Sequence, residues 1–529
     1  KSIVCLRGYS WKQFRDDSAA GAVVGLVALP LAMAFAIASG LPPERGIYTA
    51  VVAGFLISAL SGSRVAIGGP TGAFIVVVAG ITARYGYEGL AQATFLAGIL
   101  LALLGLARVG TWVKYMPYPV VTGFTTGIAV VIFSTQVRDL LGLPPGPREG
   151  FLAQWGDCLR SLPGWNPYAL GTGLFTAAAI FLWPRGWKVP GSIAALAVSA
   201  SAAAWGHWPL ETIGSRFGGI PRGLPHPQFH FPDAHQALVL LPAAATVAAL
   251  GAVESLLCAV VADGMIGGRH KSNLELVAQG AANFLSPVFG GMPATGAIAR
   301  TATNVRNGGR TPVAGMVHAL VLLLILLTAG PWAARIPLAA LAGVLVPVCW
   351  HMAEWHSCRF ILRGPWADAA VLGLTFFLTL FVNLSVAVGA GLALALAVHA
   401  RNRAFHGKGK PVREPGPRPE APAGVEVYAP EGALSLGSAE RLVEVERALF
   451  PAPRAFVLDM EGVFYMDATG LKVLKDIRER CAARGTRFIV AGLQPQPLSM
   501  LRKAGKLEKI GRENLERGLR QALAGLAGG

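Results

Sequence analysis

Along the first four hundred positions, apolar residues run in blocks broken by short polar or proline- and glycine-bearing turns. A bilayer core needs about 20 apolar residues per helix. The blocks near 19–39, 46–62, 90–107, 118–142, 168–184, 190–206, 237–262, 272–286, 312–330, 336–350, 366–383 and 385–400 therefore read as membrane spans. Two further stretches, 70–83 and 293–306, are shorter and punctuated by glycine. At 1.5 Å per residue each covers about 21 Å, too little to cross alone. Both share a local pattern: Gly68-Gly69 followed by Pro70, and Gly290-Gly291 followed by Pro293, each leading into a helix. The glycine pairs are offset by 222 positions, and the start of the first span, shifted by the same offset, falls inside 237–262. The pattern predicts two halves of about seven spans each. Paired interrupted segments in corresponding positions point to a transporter binding site.

Past residue 400 the pattern changes. Residues 401–423 form a linker rich in proline, glycine and charge, between a transmembrane part (19–400, preceded by an N-terminal segment 1–18) and a soluble domain at 424–529. Within that domain, strands are predicted at Val425–Tyr428, Ala455–Asp459 and Arg487–Ala491. Helices are predicted at Ser438–Phe450, Thr469–Ala482, 496–504 and 513–524. Alternating strands and helices make an α/β domain.

Composition supports this division. Hydrophobic residues make up 53% of the 529 positions and charged residues 14%, against roughly 25% charged in soluble chains. Residues 1–400 carry 24 Lys/Arg and 14 Asp/Glu, while the last 129 carry 22 and 15. Disorder and a collagen-like repeat are excluded by apolar content and by glycine without a triplet period. An even number of spans puts both termini on one side. Basic residues at 1–15 and 401–418 favour the cytoplasmic side, and in a membrane protein they do not imply nucleic-acid binding. The six cysteines are scattered, with no metal-ligand spacing. His207, His318, His351 and His399 read as packing residues. No nucleotide fingerprint, cofactor site or nucleophile–base pair stands out, so an enzyme is not expected.

Several segments resemble a known family. Leu29-Pro30 through Gly46-Ile47-Tyr48, Gly62-Ser63-Arg64 running into Gly69-Pro70, Pro119 through Gly127 with Gln136, and Asn273-Leu274-Glu275 with Gly280 and Asn283 are similar to motifs of the SulP family, the sulfate-permease and prestin-like anion transporters. Val457 through Leu471 resembles the STAS domain that SulP proteins share with bacterial anti-sigma-factor antagonists. The resemblance covers essentially the whole chain. It implies a bacterial member in the inner membrane, with seven plus seven inverted repeats, core and gate domains, elevator-like transport and a homodimer. In the antagonists a hydroxyl residue near Asp467 is phosphorylated. Here Ala468 takes one such place and Thr469 remains as the regulatory candidate, with docking or folding as its alternative role.

The family fold also brings the two half-helices together. Each helix N-terminus carries about half a positive charge and unpaired N–H donors, which suits a small anion. The residues at the two ends are Thr71, Gly72, Ala73 and Phe74, facing Ala297, Ile298 and Ala299. Arg300 is costly in an apolar half-helix unless it faces a cavity or a partner. Two roles stay open for it, anion binding or pairing with Glu254. Glu254, inside a long apolar helix, is the candidate proton carrier. Sodium-coupled relatives place hydroxyl residues where this chain has Cys258 and Ile298, neither a hard oxygen ligand. Leu31 stands where many relatives have glutamine, and Phe35 is an expected aromatic wall. These residues favour proton-coupled symport of a dicarboxylate of the fumarate or succinate type. Bicarbonate or sulfate transport, exchange, and channel-like anion binding are the alternatives. Glu275, Gln279 and Asn283, at i, i+4 and i+8, are assigned to interhelical hydrogen bonding.

Overall fold

The computed structural model describes the chain except residues 1–4, 6–7, 112–116, 145, 147–149, 185–186, 188–189, 222, 224, 230, 383, 407–420, 431, 435–451, 506 and 528–529. Helices follow the apolar blocks. The first half holds α1 (Trp11–Ala38), α2 (Pro43–Leu60), an extended piece β1 (Gly68–Gly69), a 3₁₀ turn (Gly72–Phe74), α3 (Ile75–Leu106), α4 (Tyr118–Leu141), α5 (Phe151–Ser161), α6 (Pro167–Phe181), α7 (Gly191–Trp205) and α8 (Ile213–Phe217). The second half holds α9 (Ala234–Ile266), α10 (Ser272–Leu285), β2 (Thr295–Gly296), α11 (Ile298–Arg306), α12 (Pro312–Ala333), α13 (Leu338–Met352), α14 (Trp355–Leu362), α15 (Trp366–Phe381) and α16 (Leu384–His406). Six helical segments among the described residues are long and apolar enough to cross a bilayer, and four shorter apolar helices accompany them.

The two interrupted segments occupy corresponding places in the halves, and β1 pairs antiparallel with β2, as an inverted repeat requires. The register corrects the glycine alignment. Gly68 faces Gly296 and Gly69 faces Thr295, whereas Gly290 and Gly291 lie earlier in the chain. Gly290 closes a 3₁₀ turn (Pro287–Phe289) at φ 71°. Within α3 the first short stretch ends at Gly86, whose φ of 68° and ψ of −173° leave the helical region and separate it from the helix that follows.

The chain forms two compact units, Lys1–Val113 with Ile128–Ala353, and Lys114–Gly127 with Glu354–Gly529. In the first unit α3 packs against α9 and α10, α12 against α1 and α2, and α6 against α13. Membrane helices associate by close backbone approach at small residues. The α3–α10 contact uses that device, since a Cβ on Gly98 would stand 2.5 Å from the backbone nitrogen of Phe284.

The second unit joins α14, α15, α16 and the start of α4 to the C-terminal domain. That domain contains β3 (Val425–Tyr428), β4 (Gly432–Leu434), β5 (Ala455–Asp459), β6 (Val463–Met466), α17 (Ala468–Ala483), β7 (Arg487–Ala491), α18 (Pro495–Lys503), α19 (Leu507–Ile510), β8 (Leu515–Glu516) and α20 (Leu519–Ala527). β3, β5, β7 and β8 form a parallel sheet in that order, and β4 pairs with β6. Side chains alternate across strands, so Phe456, Leu458 and Val490 pack with Leu471, Leu474 and Leu501 on one face. Ala455, Val457 and Ile489 pack with Leu519, Leu523 and Leu526 on the other. The helix expected at Ser438–Phe450 lies outside the described residues. The one expected at 513–524 starts later, because Leu515 and Glu516 pair with Val490 and Ala491 as β8.

Candidate functional site

The site is organised by the β1–β2 crossing. The Ala297 N–H donates to the Ile67 carbonyl at 2.8 Å, extending the pairing by one rung. Helices leave the crossing after Thr71 and after Ala297, and neither N-terminus has a side-chain cap. Their first N–H groups therefore keep the partial positive charge that a cap would offset. Instead of capping its own turn, the Thr71 hydroxyl donates to the Glu254 carboxylate at 2.9 Å. Thr71, Gly72, Ala73 and Ala297 are buried, whereas Ile298 is 39% exposed and Ala299 is exposed beside it. Phe74 is fully buried and turned toward α9, where a Cβ on Gly251 would lie 3.6 Å from its ring. A Cβ on Gly72 would lie 3.2 Å from Ile132 of α4 and 3.6 Å from Met352 of α13.

Arg300 is buried in α11, and its guanidinium donates to the carbonyls of Pro70 and Gly68. It braces the first crossing segment from the second. Among the described residues no ion pair joins it to Glu254, so the pairing that the sequence left open is not formed. Gly69 adopts φ 144°, and a Cβ there would stand 2.6 Å from Arg300 Nη1. Glycine at this position is what permits the contact. Leu31 and Phe35 lie on α1, half-buried and buried, and α1 packs against α11.

Several residues that the sequence pattern did not single out hold the crossing in register. The Thr301 hydroxyl accepts from the Ile67 N–H at 2.9 Å and lies 3.2 Å from Cys258 Sγ. Asn304 donates to the Val65 carbonyl at 3.0 Å, and Thr295 to the Gly251 carbonyl at 3.1 Å. Thr301 and Asn304 are three apart on α11, and the spacing rule that flagged the α10 stripe would have found them. On α10, Asn283 donates to the Ala294 carbonyl at 2.8 Å and accepts from its N–H at 2.9 Å. Glu275 accepts from Ser61 Oγ, from the Ser63 N–H and from Gln279. These side chains bond backbone of the crossing and of the α2–β1 loop, besides one another, so their work is wider than interhelical pairing. His318 is fully buried in α12, and His351 lies 2.6 Å from the Pro347 carbonyl one turn back. Among the described residues no group of three or more His, Cys, Asp or Glu converges as a metal site.

In the C-terminal domain Asp467 caps α17 by accepting from the Gly470 N–H at 2.8 Å. Ala468 is fully buried, and its N–H donates to Asp368 of α15 at 2.8 Å. The Thr469 hydroxyl accepts from the Tyr118 N–H at 3.4 Å. Burial, and then the neighbouring Asp368, push the Asp467 carboxyl up to about 8.

The chain matches the Sulfate permease family over residues 14–375 and the STAS domain over 417–522. The relative named putative sulfate transporter YvdB, from Bacillus subtilis, is 42% identical over 523 residues, covering 96% of this chain and 97% of its own. The bicarbonate transporter BicA of Picosynechococcus sp. is 34% identical over 395 residues, covering 72% and 69%. Among solved structures, the transmembrane domain of a cyanobacterium bicarbonate transporter BicA matches with a TM-score of 0.65 at 30% identity, covering 73% of this chain and 98% of that one. Murine Solute Carrier 26 family member A9, an anion transporter in the inward-facing state, matches in fold with a TM-score of 0.69 at 18% identity, covering 100% and 94%. With a family match over most of its membrane part and a relative 42% identical almost end to end, the chain belongs to the sulfate permease family and carries a C-terminal STAS domain.

Proposed function

We propose that this protein is a secondary transporter of small anions that works by elevator-like alternating access. The observation that carries the reading is the pair of uncapped helix N-termini meeting at the β1–β2 crossing, with Ile298 and Ala299 exposed at one of them. Two such ends supply about one positive charge and several N–H donors. Thr71, Gly72, Ala73, Ala297, Ile298 and Ala299 would surround the anion, mostly through backbone donors, with Leu31 and Phe35 of α1 as apolar walls. Arg300 would contribute its charge from behind the first segment.

Bicarbonate or sulfate is the substrate class that the relatives' names favour, and it takes precedence over a dicarboxylate. The dicarboxylate is the second reading, favoured by the apolar Ile298 at the open end of α11. Glu254, held by Thr71, would carry the coupling proton. Sodium coupling is disfavoured because Cys258 offers sulfur and Ile298 no donor atom at all. A homodimer in the bacterial inner membrane, both termini cytoplasmic, completes the proposal.

Uptake into proteoliposomes tests it, with labelled bicarbonate, sulfate and succinate, each with and without an inward proton gradient. Accumulation of one inorganic anion only under the gradient is the expected result. Accumulation of succinate alone would promote the second reading, and flux indifferent to the gradient would remove Glu254 from its coupling role.

A further inference from the structure

Two carboxylates meet where the STAS domain touches a membrane helix. Asp368, in the first turn of α15, is buried and accepts from the Ala468 N–H at 2.8 Å. Asp467, the preceding residue, caps the same turn of α17 through Gly470. Both acids thus sit on one helix N-terminus, inside a contact that Ile361, Leu372 and Ala468 make apolar. The titratable and charged groups around them are Tyr465 on β6, Tyr118 at the start of α4, Lys472 on α17, Arg401 on α16, and Glu354 and Cys358 at α14. The cations are engaged elsewhere. Lys472 pairs with Asp476 at 3.5 Å and lies over the Tyr118 ring, and Arg401 lies over the Trp366 ring. Among the described residues no ion pair reaches either acid. Two ionised carboxylates in one buried site repel, and a single shared proton relieves the repulsion.

We propose that Asp368 and Asp467 share one proton and so form a latch that holds α17 of the STAS domain on α15 in acid and loosens it as the pH rises. The sign follows from linkage. The docked form binds one proton more than the separated form, in which both acids reach water and ionise near pH 4. Docking therefore weakens with rising pH, by at most about tenfold per pH unit. The window runs from just above the ordinary carboxylate range to the raised value of about 8 at Asp467. The α17 N-terminus opposes this trend in part by favouring negative charge, which narrows the window without reversing it.

The test uses the full chain in lipid nanodiscs and amide hydrogen exchange of the 468–477 segment from pH 5.5 to 8.5, with rates corrected for intrinsic pH dependence. Protection is expected to fall with rising pH, approaching tenfold per unit in the steepest part. Asp368→Asn and Asp467→Asn each replace the protonated partner, since asparagine donates to the remaining carboxylate and still accepts the helix N–H. Both variants are expected to stay protected and flat across the range, whereas Lys472→Gln keeps the wild-type slope. Wild-type protection independent of pH overturns the latch, as does an unchanged slope in either folded asparagine variant. If one of them fails to fold, the other decides.

Discussion

Glu254 lies in an apolar helix and takes its hydrogen bond from one hydroxyl, Thr71, which belongs to the other half of the repeat. A carboxylate at membrane depth has few ways to balance its charge, and taking up a proton is one. Glu254→Gln preserves shape and the acceptor for Thr71 but has no titratable proton. Because the amide, unlike the carboxyl, does not ionise, the variant is expected to abolish gradient-driven accumulation while leaving anion exchange within a few-fold, as read by uptake and counterflow in proteoliposomes. Retained accumulation would end the coupling role. Gly69 offers a sharper steric test. Gly69→Ala sets a methyl 2.6 Å from Arg300 Nη1 on a backbone of positive φ, so transport should drop at least tenfold in protein that still elutes as a folded species. Gly69 stood in the glycine pair read along the chain, but its approach to Arg300 and the Arg300 carbonyl contacts could not be, because Arg300 and Pro70 are 230 positions apart.

The crossing of β1 and β2 is only two residues on each side, too short to hold by its own ladder. Side chains from neighbouring helices do most of the holding. Asn283 acts toward Ala294 as one more strand would, donating and accepting at once. Asn283→Ala strands both backbone groups in a buried place and should cost about 1–3 kcal/mol, seen as a lower midpoint of thermal unfolding in detergent. Asn283→Asp keeps the acceptor for the Ala294 N–H but turns a carboxylate oxygen toward the Gln279 and Ala294 carbonyls, so it should lose at least as much. The short half-helices were legible as segments too brief to span, and the stripe of Glu275, Gln279 and Asn283 was legible from its spacing. Their partners were not, since a periodic pattern identifies a face and says nothing of what covers it.

In the second unit the STAS domain meets α14, α15 and the start of α4 through Ile361, Leu372, Phe360, Tyr118 and the buried Ala468. Ala468→Leu overfills that contact, at a cost of about 1–3 kcal/mol. Exchange of the 468–477 amides should then rise at every pH while β5 and β7 keep their protection, since the other face of their sheet packs against Leu519, Leu523 and Leu526 of α20. Loss of protection throughout the domain would mean that Ala468 serves its folding rather than its docking. The absence of a second hydroxyl at this position was readable from the residue alone. The facing Asp368, from a helix a hundred positions earlier, was not.

Local composition and residue period carry the outline of this chain. The apolar blocks marked the membrane part, the short glycine-punctuated pair marked the segments that meet at the β1–β2 crossing, and the strand–helix alternation marked the C-terminal domain. Those signals are local because a bilayer selects on apolar length and a helix or strand on residue spacing. Tertiary structure alone decided the register of Gly68 with Gly296, the carbonyls that take the Arg300 guanidinium, the hydroxyl that reaches Glu254 and the meeting of two acids on α17. Each joins groups about a hundred or more positions apart. A buried polar group must find some partner, but which partner is available depends on how distant helices pack, and that is settled only when the chain has folded.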